Sequence, residues 1–142
     1  LDFADSGSFD GVVSGLALGH IKNLEATFSE FARLLAPGGF LVFSIGHPFN
    51  EFPLDSDQSY FDVEQRTEEW SVEMPYYSRP IQEIINPLID SGFILDQLSE
   101  HRPTDHLADD HPDVYEKTKQ EPVFLAARAY NSLTPEDLAA LQ

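Results

Sequence analysis

His47 stands at a point in the sequence where proton transfer chemistry could occur. It lies two residues after the end of a largely apolar run, Phe40 to Ile45, that predicts a strand buried on both faces. An imidazole gains and loses protons near neutral pH, so His47 is predicted to bind a substrate or to accept its proton. The alternative is that His47 only hydrogen-bonds locally and fixes the turn between Gly46 and Pro48.

A second group of histidines could suggest a metal site. His101, His106 and His111 are spaced five residues apart, with four aspartates among them. A zinc site needs three or four convergent ligands, but this spacing places helical positions about 140° apart. Pro103 and Pro112 also argue against one regular element. We therefore expect a solvated acidic loop here and no metal site.

The elements around His47 predict a βαβ unit. A short strand is expected from Phe9 to Ser14, followed by a helix that Asn23 caps and that ends before Pro37. The turn at Ala36–Gly39 resembles a type II turn with a positive φ at Gly38. Such a unit pairs its two strands in parallel, which places ligand sites at their carboxyl ends.

The remainder of the chain alternates weaker and stronger patterns. The stretch 61–72 predicts one or two short strands, 78–91 a helix kinked at Pro87, 93–99 and 123–129 two further strands, and Thr134 onward a short helix. Neither an internal repeat nor a low-complexity tract is present in the sequence. The pattern indicates an α/β domain.

Charge restricts the function classes. Eight Lys and Arg residues oppose 25 Asp and Glu residues, for a formal net charge of -17. This surface repels nucleic acids and anionic membranes. Because the acids are dispersed over a chain that is 42% hydrophobic, the composition is typical of halophilic proteins, the alternative being an ordinary acidic protein. Without cysteines, basic leader or long apolar run, a cytoplasmic location is expected.

Three motifs in this order resemble class I S-adenosylmethionine-dependent methyltransferases of the small-molecule branch. They are SFDGVVSGLALGHI (Ser8–Ile21), FSEFARLLAPGGFLVFSIGHPF (Phe28–Phe49) and PYYSRPIQEIINPLIDSGFILDQLSEHRP (Pro75–Pro103). They are similar to the family's fourth strand and following loop, to its next helix and fifth strand, and to its next helix and sixth strand. The resemblance implies a Rossmann-like sheet and S-adenosylmethionine as cofactor.

One family feature is missing. The family's cofactor fingerprint is a Gly-x-Gly loop after its first strand, and the sequence contains no Gly-x-Gly. The resemblance therefore implies a partial fold, the C-terminal half with the fourth to seventh strands, in which the N-terminal strands are missing. The expected organisation is a methyltransferase part over 1–133, with an insertion or lid at 50–80, and a short helix over 134–142.

The resemblance also assigns site residues. Ser14, Gly15 and Leu16 are expected to lie along the cofactor, where small residues let a ligand approach the backbone. His20 is a second candidate base, although capping or structural packing is the alternative. Tyr76, Tyr77 and Arg79 belong to the insertion and are candidates for binding the acceptor, whereas packing within a small subsheet is the alternative.

Two functions remain open from the sequence. The first is methyl transfer from S-adenosylmethionine to a small-molecule acceptor, in the intact enzyme. The second is an inactive, methyltransferase-like partial domain that associates, for example as a homodimer, through an unpaired strand edge. A nucleotide-binding α/β enzyme of another kind is disfavoured, because the sequence has no phosphate-binding glycine loop.

Overall fold

The computed structural model describes residues 3–52, 59–69 and 73–140, which form an α/β fold. The strands are β1 Phe9–Gly15, β2 Leu35–Gly46, β3 Glu64–Glu69, β4 Glu73–Ser78, β5 Phe93–Glu100 and β6 Phe124–Asn131. The helices are α1 Leu24–Leu34, α2 Pro48–Glu51, α3 Gln82–Asp90, α4 Asp105–Asp110, α5 Pro112–Thr118 and α6 Pro135–Ala140, with a 3-10 turn at Leu18–His20.

Four strands form the main sheet in the order β1-β2-β6-β5. β1 and β2 are parallel, and β6 lies antiparallel between β2 and β5. β5 therefore runs in the same direction as β1 and β2, so the carboxyl ends of these three strands lie at one edge of the sheet. The second sheet is a separate antiparallel hairpin of β3 and β4 within the predicted insertion.

The βαβ unit forms as the sequence predicts. The Asn23 side chain accepts a hydrogen bond from the Ala26 N–H at 3.0 Å and so caps α1. Gly38 has a φ of 75°, the left-handed conformation expected for its turn. β2 begins five residues before the predicted Phe40, because Leu35 already pairs with Phe9 ahead of an irregularity in the register.

The prediction that β2 is buried on both faces is wrong. Leu41, Phe43 and Ile45 are buried, whereas Phe40 on the opposite face is 40% exposed. The buried face packs in one core cluster with side chains of α1 and α3, such as Phe28 and Leu88. The strand alternates because only this face meets those helices.

Other boundaries differ from the sequence predictions. The stretch expected as an acidic loop between the last two strands forms α4 and α5, which contain no buried residue. β3 lies within the predicted 61–72 stretch, whereas β4 extends to Ser78, so that the helix predicted from Ser78 begins at Gln82. Pro87 lies inside that helix, as expected. The predicted insertion also contains Trp70, which lies outside the described residues.

Two absences concern the described part of the chain alone. Within it, no three His, Asp or Glu side chains are grouped closely enough to hold a metal ion. No helix there has the length and hydropathy needed to cross a bilayer. The division at residue 133 remains a prediction.

Candidate functional site at the carboxyl edge of the sheet

The end of β1 is open and locally strained. Leu16 adopts a φ of 55°, and its N–H donates to both the carbonyl and the hydroxyl oxygen of Ser44, at 3.0 and 3.2 Å. A left-handed conformation at a non-glycine residue costs about 1–2 kcal/mol, so these bonds to β2 hold a shape that the chain does not favour by itself. A Cβ at Gly15 would meet no atom within 4 Å. Backbone at this point is accessible to a ligand.

Tyr76 closes one side of this edge. Its side chain is only 7% exposed, and its ring lies so close to Gly19 that a Cβ there would overlap it. Its hydroxyl reaches the place that a Cβ of Gly46 would take, as does a carboxylate oxygen of Glu51. Tyr76 therefore packs between the loop after β1 and the end of β2. Both glycines are needed for this close approach.

His20 is oriented by the hairpin. Its Nδ1 lies 2.8 Å from the Pro75 carbonyl oxygen. Its ring packs edge-to-face against Tyr76, with the ring centroids 5.4 Å apart. Because a carbonyl oxygen can only accept, Nδ1 carries the proton. In the neutral ring Nε2 therefore offers a lone pair, and no described residue hydrogen-bonds to it. This tautomer suits a proton acceptor.

His47 is held at both ring nitrogens. Nδ1 accepts the Phe49 N–H at 3.0 Å, which caps α2, and Nε2 lies 2.8 Å from Glu100 Oε1. Because Nδ1 accepts, Nε2 carries the proton of the neutral ring and donates it to the carboxylate. The side chain is 7% exposed and connects the end of β2 to the end of β5. The bond to Phe49 is of the local kind that the sequence left open as an alternative, whereas the bond to Glu100 joins distant parts of the chain.

Arg79 and Tyr77 lie together at the end of β4. The guanidinium of Arg79 is centred 5.6 Å from the Tyr77 ring, and its Nη2 donates to the Ile21 carbonyl at 2.7 Å. The Tyr77 hydroxyl donates to Gln65 at 3.2 Å, within the hairpin. Arg79 and His20 thus each attach the hairpin to the loop after β1. The insertion is positioned against the carboxyl edge of the sheet by these bonds.

Similarity to known proteins decides the fold family. Residues 1–43 match the model of a methyltransferase domain. An S-adenosylmethionine-dependent methyltransferase from Mesorhizobium loti superposes with a TM-score of 0.77 at 27% identity, over 90% of this chain and 64% of that one. The chain has the fold of class I S-adenosylmethionine-dependent methyltransferases. The likeness implies S-adenosylmethionine as the cofactor of this methyltransferase fold.

Further structures extend and limit this similarity. A provisionally assigned S-adenosylmethionine-dependent methyltransferase from Listeria monocytogenes has a TM-score of 0.75 at 21% identity, over 89% of this chain and 63% of that one. The [4+2]-cyclase SpnF has a TM-score of 0.56 at 15% identity, and the match covers 92% of this chain and 53% of the cyclase. The chain thus spans less than two thirds of the methyltransferases it resembles. No curated protein matches its sequence significantly. Since a cyclase shares the methyltransferase fold, the fold alone does not determine the reaction.

The methyltransferase fold groups the predicted residues unequally. His20 and Tyr76 contact each other, Gly15 and Leu16 lie at the open end of β1, and Arg79 stacks on Tyr77. Ser14 is half-buried at the end of the same strand. His47 instead turns toward β5. The matched segment 1–43 includes the residues expected along the cofactor and His20.

Sequence reasoning missed two carboxylates of this edge. Glu51 lies over Gly46 beside the Tyr76 hydroxyl, and Glu100 binds His47. Glu51 follows His47 by four residues on the short helix α2, a spacing that brings side chains to one helix face and could have indicated it. Glu100 is 53 residues from His47, and no local pattern connects them.

The residues present fit part of a cofactor site. The open space at Gly15 and the strained but anchored Leu16 leave backbone exposed at the carboxyl end of β1, which is where open α/β sheets bind ligands. Backbone strain held by surrounding bonds is typical of ligand contacts. These residues could therefore line one side of S-adenosylmethionine.

Proposed function

We propose that this chain takes part in methyl transfer from S-adenosylmethionine to a small-molecule acceptor. The observation that carries the proposal is the orientation of His20 in the loop after β1, where the Pro75 carbonyl binds Nδ1 and no described residue hydrogen-bonds to Nε2. The 27% identity to a methyltransferase of the same fold supports it. Ser14, Gly15 and Leu16 would lie along the cofactor, which supplies an activated methyl group when bound.

The side chains would divide the remaining work. His20 would accept a proton from the acceptor at Nε2, while the Pro75 carbonyl keeps the ring in the required tautomer. Tyr76 would form one wall of the acceptor site, because Gly19 and Gly46 have no side chains and leave room for its ring and hydroxyl. The β3–β4 hairpin would exclude water and position the acceptor. The cytoplasmic location stays a prediction.

Binding of S-adenosylhomocysteine tests the proposal without an identified acceptor. We expect a saturable calorimetric signal in molar KCl, where salt screens the self-repulsion of the acidic surface. Gly15→Val should lower the affinity at least about tenfold, because its side chain would occupy the open space beside β1.

The control for that experiment is a check that Gly15→Val keeps the fold of the unaltered chain. A Cβ at Gly15 meets no described atom within 4 Å, so we expect the variant to retain its circular dichroism spectrum and urea midpoint. Absence of binding up to millimolar ligand would contradict a cofactor site in this chain. The prediction that three further strands precede β1 in the intact domain would then be tested with a version extended upstream.

A second candidate function is association through the edge of the main sheet. β1 pairs with β2 on one side, and no other described strand pairs with it. Val13 on this strand is 76% exposed, and Phe40 of β2, which pairs with Gly11, is 40% exposed. Unpaired strand edges with apolar neighbours recruit other strands. We propose that two copies pair there when salt screens their charge, as the halophilic composition predicts.

Sedimentation at two salt concentrations tests this association. We expect a dimer in about 3 M KCl, a monomer in about 0.1 M KCl, and a monomer in both for Val13→Glu, since a carboxylate at the edge opposes pairing. Phe61→Glu, at a residue that is 74% exposed on the hairpin side, is the matched control and should keep the dimer. A monomer of the unaltered chain at every salt concentration and up to millimolar protein would exclude the association.

A further inference from the structure

A cavity lies where the first turns of α1 and α3 meet. Its volume is about 390 Å³, in the range of sites for small ligands. The lining residues are Lys22, Asn23, Leu24, Glu25, Val63, Arg79, Glu83 and Pro87. α1 has 11 residues and α3 nine. The lining includes residues 22–25 around the start of α1, and the N-terminus of a helix carries a partial positive charge that raises the potential in this cavity.

The buried side chain of Arg79 is a second, independent observation that indicates an anion-binding site. The side chain is only 4% exposed, and among the described residues its sole hydrogen bond runs from Nη2 to the Ile21 carbonyl. Its Nε is buried and has no hydrogen-bond partner within the described part of the chain. A guanidinium has five N–H donors, and burying a charge without partners is costly. Arg79 therefore keeps one buried N–H donor unpaired within the described part of the chain.

Electrostatics support the same conclusion. Burial lowers the pKa of the Arg79 guanidinium, while Tyr76, Tyr77 and Glu83 act in the opposite direction. No carboxylate of the described residues lies within ion-pair distance of it. A bound anion would remove the cost of this burial, because an opposite charge at close range favours the ionised form.

The lining of the cavity contains two cationic and two anionic side chains. Lys22 and Arg79 are two of only eight cationic side chains in the whole chain. Glu25 and Glu83 each occupy the first turn of one helix, where a carboxylate offsets the helix dipole. Both glutamates are exposed, so solvent screens their charges more than that of the buried Arg79.

We propose that this cavity binds an oxyanion, the carboxylate or phosphate group of a small ligand. Arg79 and Lys22 are the charged contacts, and the first backbone N–H groups of α1 are the neutral ones. Ile21, which binds Arg79, directly follows His20. The anion is therefore placed to anchor an acidic methyl acceptor beside His20, and this assignment of the ligand rests on the proposed function, whereas the anion site does not.

Titrations observed by amide NMR test the site on the chain as it stands. Inorganic phosphate and succinate serve as probes at constant ionic strength. We expect saturable shifts at the backbone amides of residues 22–25, 79 and 81–83. Lys22→Gln should weaken binding about fivefold and Glu83→Gln should strengthen it about fivefold, as one partly exposed charge is worth about 1 kcal/mol. Lys117→Gln, on the exposed helix α5, should change nothing.

The outcomes separate the possible ligands. Binding of phosphate alone, succinate alone or both supports the site and identifies its chemistry. Unsaturable shifts, or equal shifts at Lys117 and Lys119 in and after α5, would overturn it. Arg79→Lys and Arg79→Gln are compared after a check of folding by circular dichroism, and binding unchanged in both folded variants would equally refute the site. S-adenosylhomocysteine calorimetry on the same sample keeps the two proposals apart: its failure leaves the anion site standing.

Discussion

Under the proposed function, replacing His20 with glutamine is expected to lower kcat for methyl transfer by about 10²–10⁴-fold, the range of a lost general base. Glutamine can keep a hydrogen bond to the Pro75 carbonyl through its amide, so the loop after β1 should stay attached to β4. It cannot accept a proton. Turnover of labelled S-adenosylmethionine with an acidic small-molecule acceptor measures the loss, and the KM for the cofactor should change less than about threefold.

The tautomers of the two histidines provide a direct check on this argument. Long-range ¹⁵N spectra of the neutral rings should show the proton of His20 on Nδ1 and the proton of His47 on Nε2. The opposite tautomer at His20 would leave Nε2 protonated, and the residue could then not serve as the base. This measurement needs neither cofactor nor acceptor.

His47→Gln is the matched comparison for His20→Gln. The change removes the cap on α2 and alters the bond to Glu100, so it should reduce the free energy of unfolding by about 1 kcal/mol. We expect the effect on kcat to be less than tenfold. A loss at His47 as large as that at His20 would restore His47 as the base.

The sequence was sufficient for elements whose signals are local. The cap at Asn23, the left-handed Gly38 and the βαβ unit all follow from residues within a few positions of one another. The prediction that β2 is buried on both faces was wrong, because an apolar run does not reveal how many faces of a strand are covered.

Long-range contacts were not predictable from the sequence. The roles of the two histidines are set by Pro75, which is 55 residues from His20, and by Glu100, which is 53 residues from His47. The choice of tautomer depends on which acceptor the fold brings to which nitrogen. The same holds for Arg79: its burial with an unpaired donor depends on tertiary packing, although the sequence did mark it as a site candidate.

Phe28→Ala is expected to reduce the free energy of unfolding by about 3–5 kcal/mol. Phe28 is fully buried on α1. The centroid of its ring lies 5.7 Å from that of Phe43 on β2 and 6.5 Å from that of Phe31. Removing it loses apolar burial and leaves a cavity between α1 and the sheet. Since domains are stable by only about 5–15 kcal/mol, the loss is a large part of the total. Urea unfolding followed by circular dichroism measures it at constant ionic strength.

Phe61→Ala is the control for the core variant. Phe61 is 74% exposed and contacts Tyr60 at 5.6 Å, so its loss should cost less than about 1 kcal/mol. Equal losses at both positions would contradict the core described for α1 and β2. The consequence for function follows from the same packing: Phe28 holds α1 on the sheet, and the first turn of α1 forms one wall of the anion cavity. In folded Phe28→Ala, phosphate binding should therefore weaken, whereas in Phe61→Ala it should not.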